Sequence, residues 1–466
     1  MTITPAAPVD AGLIGKSLRA TFDSGRTRSL GWRQEQLAGL RRMMDEADAE
    51  LTEALRQDLG RPSMEAYAAD IGHTKAELRH LAKHVARWMR PTKVRVPLTA
   101  APAKAWIQPE PLGVALVIAP WNYPIQLLVE PLAAAVAAGN CVVAKPSELA
   151  PACSAALARL LPRYVDPEAI TVVEGGVEET TALLAERWDH IFFTGSTAVG
   201  RIVAAAAARH LTPTVLELGG KSPTYVHASA NLDVAARRIA WGKFLNAGQT
   251  CIAPDYVLVD HQVRDQLVDA LAARITEFFG ADPQQSASFG RIVNERHLAR
   301  VAGLLDAGAG TVAVGGAIDP AARFVAPTVT VEPSPDSPVM QEEIFGPVLP
   351  VLGVDGPDEA VAFITARPKP LALYVFGDDD AVIDAVVSGT SSGGVCINQT
   401  LMHLLPSDLP FGGVGDSGMG AYHGKAGFDV FSHRKSVLRK PVTPDLKVLY
   451  PPYRAPVERV IRKILR

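Results

Sequence analysis

The spacing of apolar residues near the start of the chain is helical. Over residues 33–59 apolar side chains recur every three or four positions, and Gly60 provides a natural stop. A second helix is predicted over residues 64–89, ending before Pro91. Residues 1–30 carry no clear pattern.

The pattern changes to short, continuous apolar stretches after residue 112. Residues 114–119, 141–144, 170–174 and 190–193 have the composition of strands buried on both faces of a parallel sheet. Helical stretches separate them, which predicts right-handed crossovers and a doubly wound sheet. The alternation continues with different loops from Glu217 to about residue 431, which indicates a second α/β domain.

The segment before the first apolar strand does not fit a domain core. Residues 93–96 alternate like a strand, and residues 97–111 are rich in Pro and Ala. We therefore expect an arm or hairpin that leaves the domain.

The composition is that of an ordinary globular protein. The 466 residues suffice for two or three domains, with 48% hydrophobic and 20% charged residues. A net charge of -3 gives no reason to expect a nucleic acid partner. No apolar run approaches the roughly 18 residues of a membrane span, and a secretory signal is not evident. We expect a soluble, cytoplasmic protein.

Cysteine usage points to one reactive thiol. Cys141, Cys153 and Cys396 lie among Val, Ala or Ile, whereas Cys251 lies in a polar Gly-Gln-Thr setting. A cysteine thiolate is a strong nucleophile, so Cys251 is the candidate catalytic residue. The alternative is that it is a small buried apolar residue. Metal-ligand spacing is absent around these cysteines, and no metal is expected.

Two polar residues could assist this thiol. Glu217 ends a predicted strand between Leu216 and Leu218, where desolvation would raise its pKa and suit a general base. The alternative is an ion pair with Lys221. Asn122 has an amide that can donate to a developing oxyanion, although it could instead simply form a turn.

Two strand ends are candidates for binding a dinucleotide. Residues 193–200 follow a strand and open a helix, where Gly195 and Gly200 permit a tight turn and the helix N-terminus favours an anion. Lys145 and Glu148 follow another strand and can share ribose hydroxyls; Glu148 would repel a 2′-phosphate, which favours NAD over NADP. Each segment alone could equally be a plain connection or a solvated loop.

A third segment adds a carboxylate and an aromatic ring. Glu343 could bind a second ribose and Phe345 could form a wall against a nicotinamide. The alternative is the end of a helix at Gly346-Pro347.

Together these residues resemble the aldehyde dehydrogenase superfamily, and specifically its class 3 branch, from about residue 15 to residue 450. The shared motifs, in the family's order, are Pro120-Trp-Asn-Tyr-Pro124, Lys145-Pro-Ser-Glu148, Phe193-Thr-Gly-Ser196, Leu216-Glu-Leu-Gly-Gly220, Gly248-Gln-Thr-Cys-Ile-Ala-Pro254, Glu343-Ile-Phe-Gly-Pro347 and Pro410-Phe-Gly-Gly-Val-Gly415. Class 3 character comes from Ile252-Ala-Pro-Asp-Tyr256, Tyr422-His-Gly-Lys-Ala-Gly-Phe-Asp429 and Phe431-Ser-His433.

The resemblance implies NAD(P)-dependent oxidation of an aldehyde to its carboxylic acid. Cys251 would form a thiohemiacetal whose oxyanion is stabilised by Asn122 and the Cys251 N–H. Hydride transfer would leave a thioester, and Glu217 would activate the water that releases the acid.

Cofactor roles follow from the same resemblance. Lys145 and Glu148 would bind the adenine-side ribose, Ser196 a phosphate, and Glu343 with Phe345 the nicotinamide side. Class 3 members are often less strict about the cofactor than Glu148 alone suggests, so NAD is expected with NADP as an alternative.

The implied fold has a cofactor domain and a catalytic domain, both doubly wound α/β, plus a small β arm for oligomerisation, and a homodimer is expected. The predicted boundaries are 1–89 and 111–217 for the cofactor-binding domain, 218–433 for the catalytic domain, 90–110 and 434–450 for the arm, and 451–466 for an amphipathic tail. Gln399 stands where relatives commonly carry Asp, which puts the substrate preference in doubt.

The substrate is predicted from three apolar side chains. Tyr123, Trp241 and Leu245 suggest an apolar tunnel that accepts medium-chain aliphatic or aromatic aldehydes. Two other functions compete with aldehyde oxidation. A cofactor-independent thiol esterase would need a histidine that orients Cys251, and the retention of Cys251, Glu217 and Asn122 argues against a structural protein without activity.

The C-terminal tail has an apolar side and a basic side. Val457, Val460, Ile461, Ile464 and Leu465 fall at helical spacing, opposite basic residues. We favour docking of this segment on the protein's own surface. Peripheral contact of residues 457–466 with an anionic membrane is the less favoured alternative.

Overall fold

The computed structural model describes residues 10–306, 308–445 and 450–464. Helices precede the first sheet: α1 (Ala11–Asp23), α2 (Leu30–Glu46), α3 (Asp48–Leu59), α4 (Ser63–Glu65) and α5 (Gly72–Trp88), with a π-helical stretch at Ala66–Ile71. One prediction is wrong here, and one helix lies where no element was predicted. Helix α1 was not expected, and the helix predicted over 33–59 breaks at Ala47, whose backbone leaves the helical region. The apolar period continues across this break and therefore conceals it.

The first large sheet follows the predicted apolar stretches. Its strands are β3 (Val114–Ile118), β4 (Cys141–Lys145), β5 (Ile170–Val172), β6 (His190–Thr194) and β7 (Thr214–Glu217), after two strands of the arm, β1 (Thr92–Val94) and β2 (Lys104–Pro111). The connecting helices are α6 (Gln126–Ala138), α7 (Pro151–Tyr164), α8 (Val177–Ala185) and α9 (Thr197–Ala208). The strand order β7-β6-β3-β4-β5 is parallel throughout, and β3, β4 and β6 are completely buried.

The second large sheet is built in the same way. Its strands are β8 (Pro223–Val226), β9 (Tyr256–Asp260), β10 (Thr311–Val314), β13 (Thr328–Val331), β14 (Val348–Val354), β15 (Ala372–Phe376) and β16 (Gly394–Ile397). Between β10 and β13 the chain forms a separate hairpin of β11 (Ile318–Asp319) and β12 (Phe324–Val325). The order is β10-β13-β14-β9-β8-β15-β16, parallel except for the edge strand β10. The helices of this half are α10 (Leu232–Phe244), α11 (Arg264–Phe279), α12 (Glu295–Asp306), α13 (Pro338–Gln341), α14 (Pro357–Thr365) and α15 (Asp380–Gly389). The following helix, α16 (Gly424–Val430), packs against α5 and α6 of the first half.

The chain returns to the first half of the molecule near its end. Strand β17 (Gly418–Met419) pairs antiparallel with β7 and extends the first sheet. Strand β18 (Ser432–Arg439) pairs along the whole of β2, and β1 lies on the other side of β2. This antiparallel sheet is largely exposed and corresponds to the segments expected to form an arm. Residues 446–449 of that prediction and residues 1–9 of the cofactor-domain prediction lie outside the described residues.

These sheets confirm the predicted fold class, an α/β protein with doubly wound parallel sheets and a small β element. Each sheet packs its own apolar core, because the crossover helices cover both faces of the parallel strands.

The tail forms helix α17 (Ala455–Ile464). The prediction that it docks on the protein's own surface is wrong for Val460 and Ile461, which are 57% and 36% exposed, whereas Val457 is half-buried. Leu465 lies outside the described residues. Among the helices of the described ranges, none combines the length and apolar character needed to cross a membrane.

Candidate active site

A sharply turned loop presents Cys251. Helix α10 ends at Phe244, and Asn246, Ala247 and Gly248 then take left-handed backbone conformations in succession, with φ of 52°, 52° and 76°. Gln249 fastens the loop, because its amide nitrogen donates to the carbonyls of Asn246 and Arg291, each at 2.9 Å. Left-handed conformations cost energy in residues with a side chain, and functional sites often retain them.

Two cavities meet at Cys251. The first, the polar cavity, has a volume of about 310 Å³ and is lined by Pro120, Trp121, Asn122, Leu127, Thr194, Gly195, Ser196, Glu217, Leu218, Gly219, Cys251, His297, Arg300, Glu343 and Phe345. The second, the apolar cavity, measures about 340 Å³ and is lined by Met64, Glu65, Ala68, Ala69, His73, Tyr123, Gln126, Leu127, Trp241, Leu245, Thr250, Cys251, Ile252, Leu401, Met402, Leu404, Leu405, Phe411, Tyr422 and His423. Cys251 and Leu127 therefore belong to the walls of both cavities.

Glu217, the predicted general base, and Asn122, the predicted oxyanion donor, line the polar cavity together with Cys251. Both carboxyl oxygens of Glu217 are buried without a hydrogen-bond partner among the described residues, and burial raises the pKa of this group well above its usual value. The alternative pairing with Lys221 is wrong, because Lys221 pairs with Asp255. The side-chain nitrogen of Asn122 donates to the Gln249 carbonyl at 3.1 Å, and an amide nitrogen carries a second hydrogen.

The environment of Cys251 favours the neutral thiol. Burial, followed by the nearby carboxyl groups of Glu343 and Glu217, raises the pKa of Cys251 to about 12. The protein alone therefore does not supply a thiolate at neutral pH, and a base or an additional positive charge is needed.

The polar cavity contains part of the predicted dinucleotide site. Gly195 and Ser196 line it at the turn between β6 and α9, and the Ser196 hydroxyl caps the helix by accepting from the Val199 N–H at 3.4 Å. Gly200 does not line the cavity, and a Cβ there would collide with the side chain of Leu218. Its small size serves the packing of α9 against the loop after β7.

Lys145 and Glu148 lie outside the lining of this cavity, at the end of β4. The Lys145 ammonium is buried and donates to the carbonyls of Pro146 and Gly175 at 2.8 and 2.6 Å. It lies 3.9 Å from the carboxylate of Glu148, whose side chain is 44% exposed.

Glu343 and Phe345 also line the polar cavity. Burial, followed by the charge of Asp255, raises the pKa of Glu343 to about 8. Its Oε1 has no hydrogen-bond partner in the part of the chain that the structure describes. Phe345 has a φ of 46° and packs edge to face on Trp121 at 5.3 Å, so the two rings form an aromatic wall.

The predicted tunnel residues share the apolar cavity. Tyr123, Trp241 and Leu245 all line it, and the Tyr123 hydroxyl is 2.7 Å from that of Thr250. Gln399 is not part of the lining, although Leu401 is.

Sequence reasoning missed a buried polar network beneath the site. Arg61 and Asp70 form a completely buried ion pair. The Arg61 guanidinium also donates to the backbone carbonyl of Asn122 and, at 3.2 Å, to the side chain of Asn246. Asn246 in turn donates to the carbonyls of Asn122 and Gln249 at 3.0 and 3.1 Å. This network connects the loop that holds Asn122 to the loop that holds Cys251.

Other polar residues of the site were also missed. The His297 ring lies 4.9 Å from the Trp121 ring and is tilted by 53° to it, and Arg300 donates to the carbonyls of Glu343 and Ile344 at 3.1 and 2.5 Å. Their spacing of three on α12 places them on one helical face, a signal that could have identified them. Lys243 has a buried ammonium without a hydrogen-bond partner among the residues described, and burial lowers its pKa to about 8.

A cysteine between an apolar cavity and a cavity with a glycine-rich strand-to-helix turn defines an oxidoreductase that works through a thiol and a dinucleotide. The chain matches the aldehyde dehydrogenase family over residues 2–437 and belongs to that family. The predicted resemblance is thus confirmed, and the protein is an NAD(P)-dependent aldehyde dehydrogenase.

Its relatives include class 3 members. The chain is 50% identical to the rat "Aldehyde dehydrogenase, dimeric NADP-preferring" over 95% of its length and 98% of the relative's. It is 49% identical to the rat "Aldehyde dehydrogenase family 3 member B1", over 96% and 95% of the two chains. The structure of Staphylococcus aureus AldH in a substrate-bound state matches with a TM-score of 0.95 and 44% identity, covering 98% of this chain and 99% of that one.

Proposed function

We propose that the protein oxidises aldehydes through covalent catalysis at Cys251. The observation that carries this proposal is that Cys251 belongs to both cavities, so that an aldehyde in the apolar cavity and a dinucleotide in the polar cavity can reach the same sulfur. The Cys251 sulfur attacks the aldehyde carbon and forms a thiohemiacetal. Asn122 and the Cys251 N–H donate hydrogen bonds to the resulting oxyanion.

Glu217 acts as the general base of the second half-reaction. Loss of hydride leaves a thioester on Cys251, and the carboxylate of Glu217 removes a proton from the water that attacks it. Its unpartnered, buried carboxyl group supports this role, because a carboxylate with a raised pKa is a stronger base. The acid then leaves and the thiol is restored.

The polar cavity fits NAD(P). The unpartnered Oε1 of Glu343 is suited to a ribose hydroxyl, the aromatic wall of Trp121 and Phe345 to a nicotinamide ring, and the N-terminus of α9 at Ser196 to a phosphate. NAD(P)⁺ supplies a hydride acceptor and brings a positive charge that favours ionisation of the thiol.

Lys145 and Glu148 bind the adenine-side ribose in this proposal. Their position at the carboxyl end of β4 agrees with the usual place of a nucleotide on a doubly wound sheet. The exposed carboxylate of Glu148 can turn away from a 2′-phosphate, and a close relative is described as NADP-preferring. We propose that the enzyme uses both cofactors.

The apolar cavity selects medium-chain aliphatic or aromatic aldehydes. Aromatic and aliphatic side chains, including Tyr123, Trp241 and Leu245, form most of its wall. Burial of apolar substrate surface contributes about 25 cal/mol per Å² to binding.

The remaining proposals concern organisation. The cofactor-binding domain comprises residues 1–89 and 111–217, the catalytic domain 218–433 and the oligomerisation arm 90–110 and 434–450. The exposed β1-β2-β18 sheet supports pairing of arms in a homodimer, in line with the relative described as dimeric. A cytoplasmic location is proposed from the composition. Val460 and Ile461 on the apolar side of α17 are exposed, which agrees with peripheral contact of the tail with a membrane.

The test is formation of reduced nicotinamide from a panel of aldehydes with NAD and NADP, for the wild type and for Cys251→Ala. We expect turnover of hexanal, decanal and benzaldehyde by the wild type and none by the variant, which should still bind the cofactor. Turnover by the variant would refute the role of Cys251. Turnover of short polar aldehydes alone would refute the proposed substrate class.

A further inference from the structure

A third cavity, smaller than the other two, adjoins the apolar cavity. This side pocket has a volume of about 240 Å³ and is lined by Glu65, Trp241, Leu245, Phe278, Phe279 and Ser288. Glu65, Trp241 and Leu245 also line the apolar cavity, so the side pocket meets that cavity at these side chains. Cys251 does not line the side pocket. A ligand group that enters the side pocket is therefore remote from the thiol.

Three aromatic rings contribute to the side pocket. Trp241 comes from α10, and Phe278 and Phe279 end α11 with their rings edge to face and their centroids 6.0 Å apart. Phe279 in turn packs edge to face on Phe244 at 6.3 Å and on Phe289 at 5.0 Å, which fixes its ring. The faces of aromatic rings carry partial negative charge, so a wall of this kind attracts organic cations.

The carboxyl group of Glu65 belongs to the same wall. Its Oε2 accepts from the Asn246 N–H at 3.0 Å. Its Oε1 has no hydrogen-bond partner among the described residues, yet it keeps some accessible surface. The positive charge of Arg61 acts on this carboxyl group, but Arg61 is already paired with Asp70. Glu65 therefore brings a negative charge to the side pocket that no ion pair within the described ranges offsets.

A cation is the ligand that suits this combination of groups. Burial raises the pKa of Glu65 to about 7, although the Asn246 hydrogen bond and the charge of Arg61 act in the opposite direction. An ionised carboxylate in an apolar wall is costly without a partner, and a cation in the side pocket supplies one. An anion would be repelled. The volume of about 240 Å³ has room for a trimethylammonium group, since a cavity of about 150 Å³ holds benzene.

We propose that Glu65 and the aromatic rings of the side pocket bind an alkylammonium group of the substrate, so that the enzyme prefers aldehydes that carry a positive charge remote from the carbonyl carbon. This inference rests on the proposed function, because it assigns the apolar cavity to the aldehyde. The uncharged part of the chain extends through the apolar cavity from Cys251 to the side pocket, which agrees with the medium-chain length of the proposed substrates.

The experiment compares substrates of matched shape. We would measure kcat/KM at about pH 8.5, where Glu65 is ionised, for straight-chain aldehydes of four to eight carbon atoms that end in trimethylammonium. Each is paired with the compound in which tert-butyl replaces that group, for example 4-(trimethylammonio)butanal with 5,5-dimethylhexanal. The wild type should prefer the charged compound of at least one pair by about tenfold or more, which corresponds to about 1.4 kcal/mol. Glu65→Gln should remove this preference through a lower kcat/KM for the charged compound.

The matched control is Glu53→Gln. Glu53 is an exposed carboxylate on the neighbouring helix α3, where it pairs with Arg56, and it lines neither the side pocket nor the apolar cavity. This control loses the same charge and should keep the preference. Glu65→Gln retains an oxygen that can accept from the Asn246 N–H, so the catalytic loop keeps that support. If Glu65→Gln does not fold, Phe278→Leu should still reduce the preference severalfold, because the side pocket then lacks one of its rings.

The outcomes separate two kinds of failure. Equal or lower kcat/KM for the charged member of every pair in the wild type, with hexanal oxidised, would overturn the ammonium site and leave the proposed function intact. Survival of the preference in Glu65→Gln, or in Phe278→Leu where that variant replaces it, would also overturn the site, as would an equal loss in Glu53→Gln. Absence of any aldehyde oxidation would overturn the proposed function and the site with it.

Discussion

Replacing Gly219 by alanine should weaken cofactor binding without unfolding the protein. A Cβ at this position would lie 2.6 Å from the Cδ of Glu343. Ordinary contacts between carbon atoms are about 3.5–4.0 Å, so the carboxyl group would have to withdraw by roughly 1 Å. The backbone of Gly219 is not in the left-handed region, and alanine is therefore tolerated there conformationally.

The size of the effect follows from the role proposed for Glu343. A hydrogen bond to a charged group contributes about 1.5–3 kcal/mol, so its loss should raise the Kd for NAD or NADP by roughly 10- to 150-fold. Stability should fall only modestly, because the displaced atoms belong to the end of a flexible side chain, which would lose its hydrogen bond from the Gly220 backbone N–H while Oε1 has no partner to lose among the described residues.

Gly220→Ala is the matched control. A Cβ on this neighbouring residue would meet its nearest atom, the Cα of Pro370, at 3.5 Å, which is an ordinary contact. The assay is titration of each variant with NAD and NADP, together with thermal unfolding. An unchanged Kd in Gly219→Ala would refute the assignment of Glu343 to the cofactor. An equal loss in Gly220→Ala would show that the effect is not specific to the carboxyl group.

Three further predictions test the chemistry and its support. Glu217→Gln should give a burst of about one reduced cofactor per active site and then a steady state lowered by roughly 10²- to 10⁴-fold, measured by stopped-flow absorbance; a normal steady state would exclude Glu217 as the base. Because burial raises the pKa of Glu217 well above its usual value, the base form increases with pH, so the wild-type kcat should rise with pH above the usual range of a carboxyl group and the variant should lose that rise. Arg61→Met should lower the unfolding free energy by about 3–5 kcal/mol in a urea titration, since it leaves Asp70 buried and unpaired, whereas Arg56→Met at an exposed pair should change it little.

The parallel sheets were predictable because their strands are apolar on both faces. Strands β3, β4 and β6 occur within a residue or two of the predicted stretches. The break at Ala47 was not predictable, because buried apolar residues recur at helical spacing on both sides of it and the pattern continues without interruption. Helix α1 was missed for a different reason. Leu18 is one of its few buried residues, so the pattern within that segment is sparse.

The residues of the site also divide into those that the sequence could identify and those that it could not. Cys251, Glu217 and Asn122 stand in short motifs that bring chemical groups to strand ends and turns, and each could be identified locally. Arg61 and Asp70 could not, because an isolated charged residue in a helical segment is normally solvated and only the fold reveals that this pair is completely buried. Gly200 was assigned to the cofactor, and the structure adds that its small size permits close packing on Leu218, which a sequence does not reveal.

Burial disfavours the negative charge of the three acidic groups that line the polar cavity, Cys251, Glu217 and Glu343. Burial raises the pKa of Cys251 to about 12 and that of Glu343 to about 8, and raises that of Glu217 well above its usual value. Each negative charge would make the others less favourable, so the cavity resists acquiring any one of them. A positive charge entering with the cofactor changes this balance, because it stabilises the thiolate and both carboxylates together. A neutral thiol is a poor nucleophile and reacts slowly with oxidants. The same burial that positions Cys251 between its two cavities therefore also limits its reactivity until the positively charged nicotinamide ring of the cofactor is present.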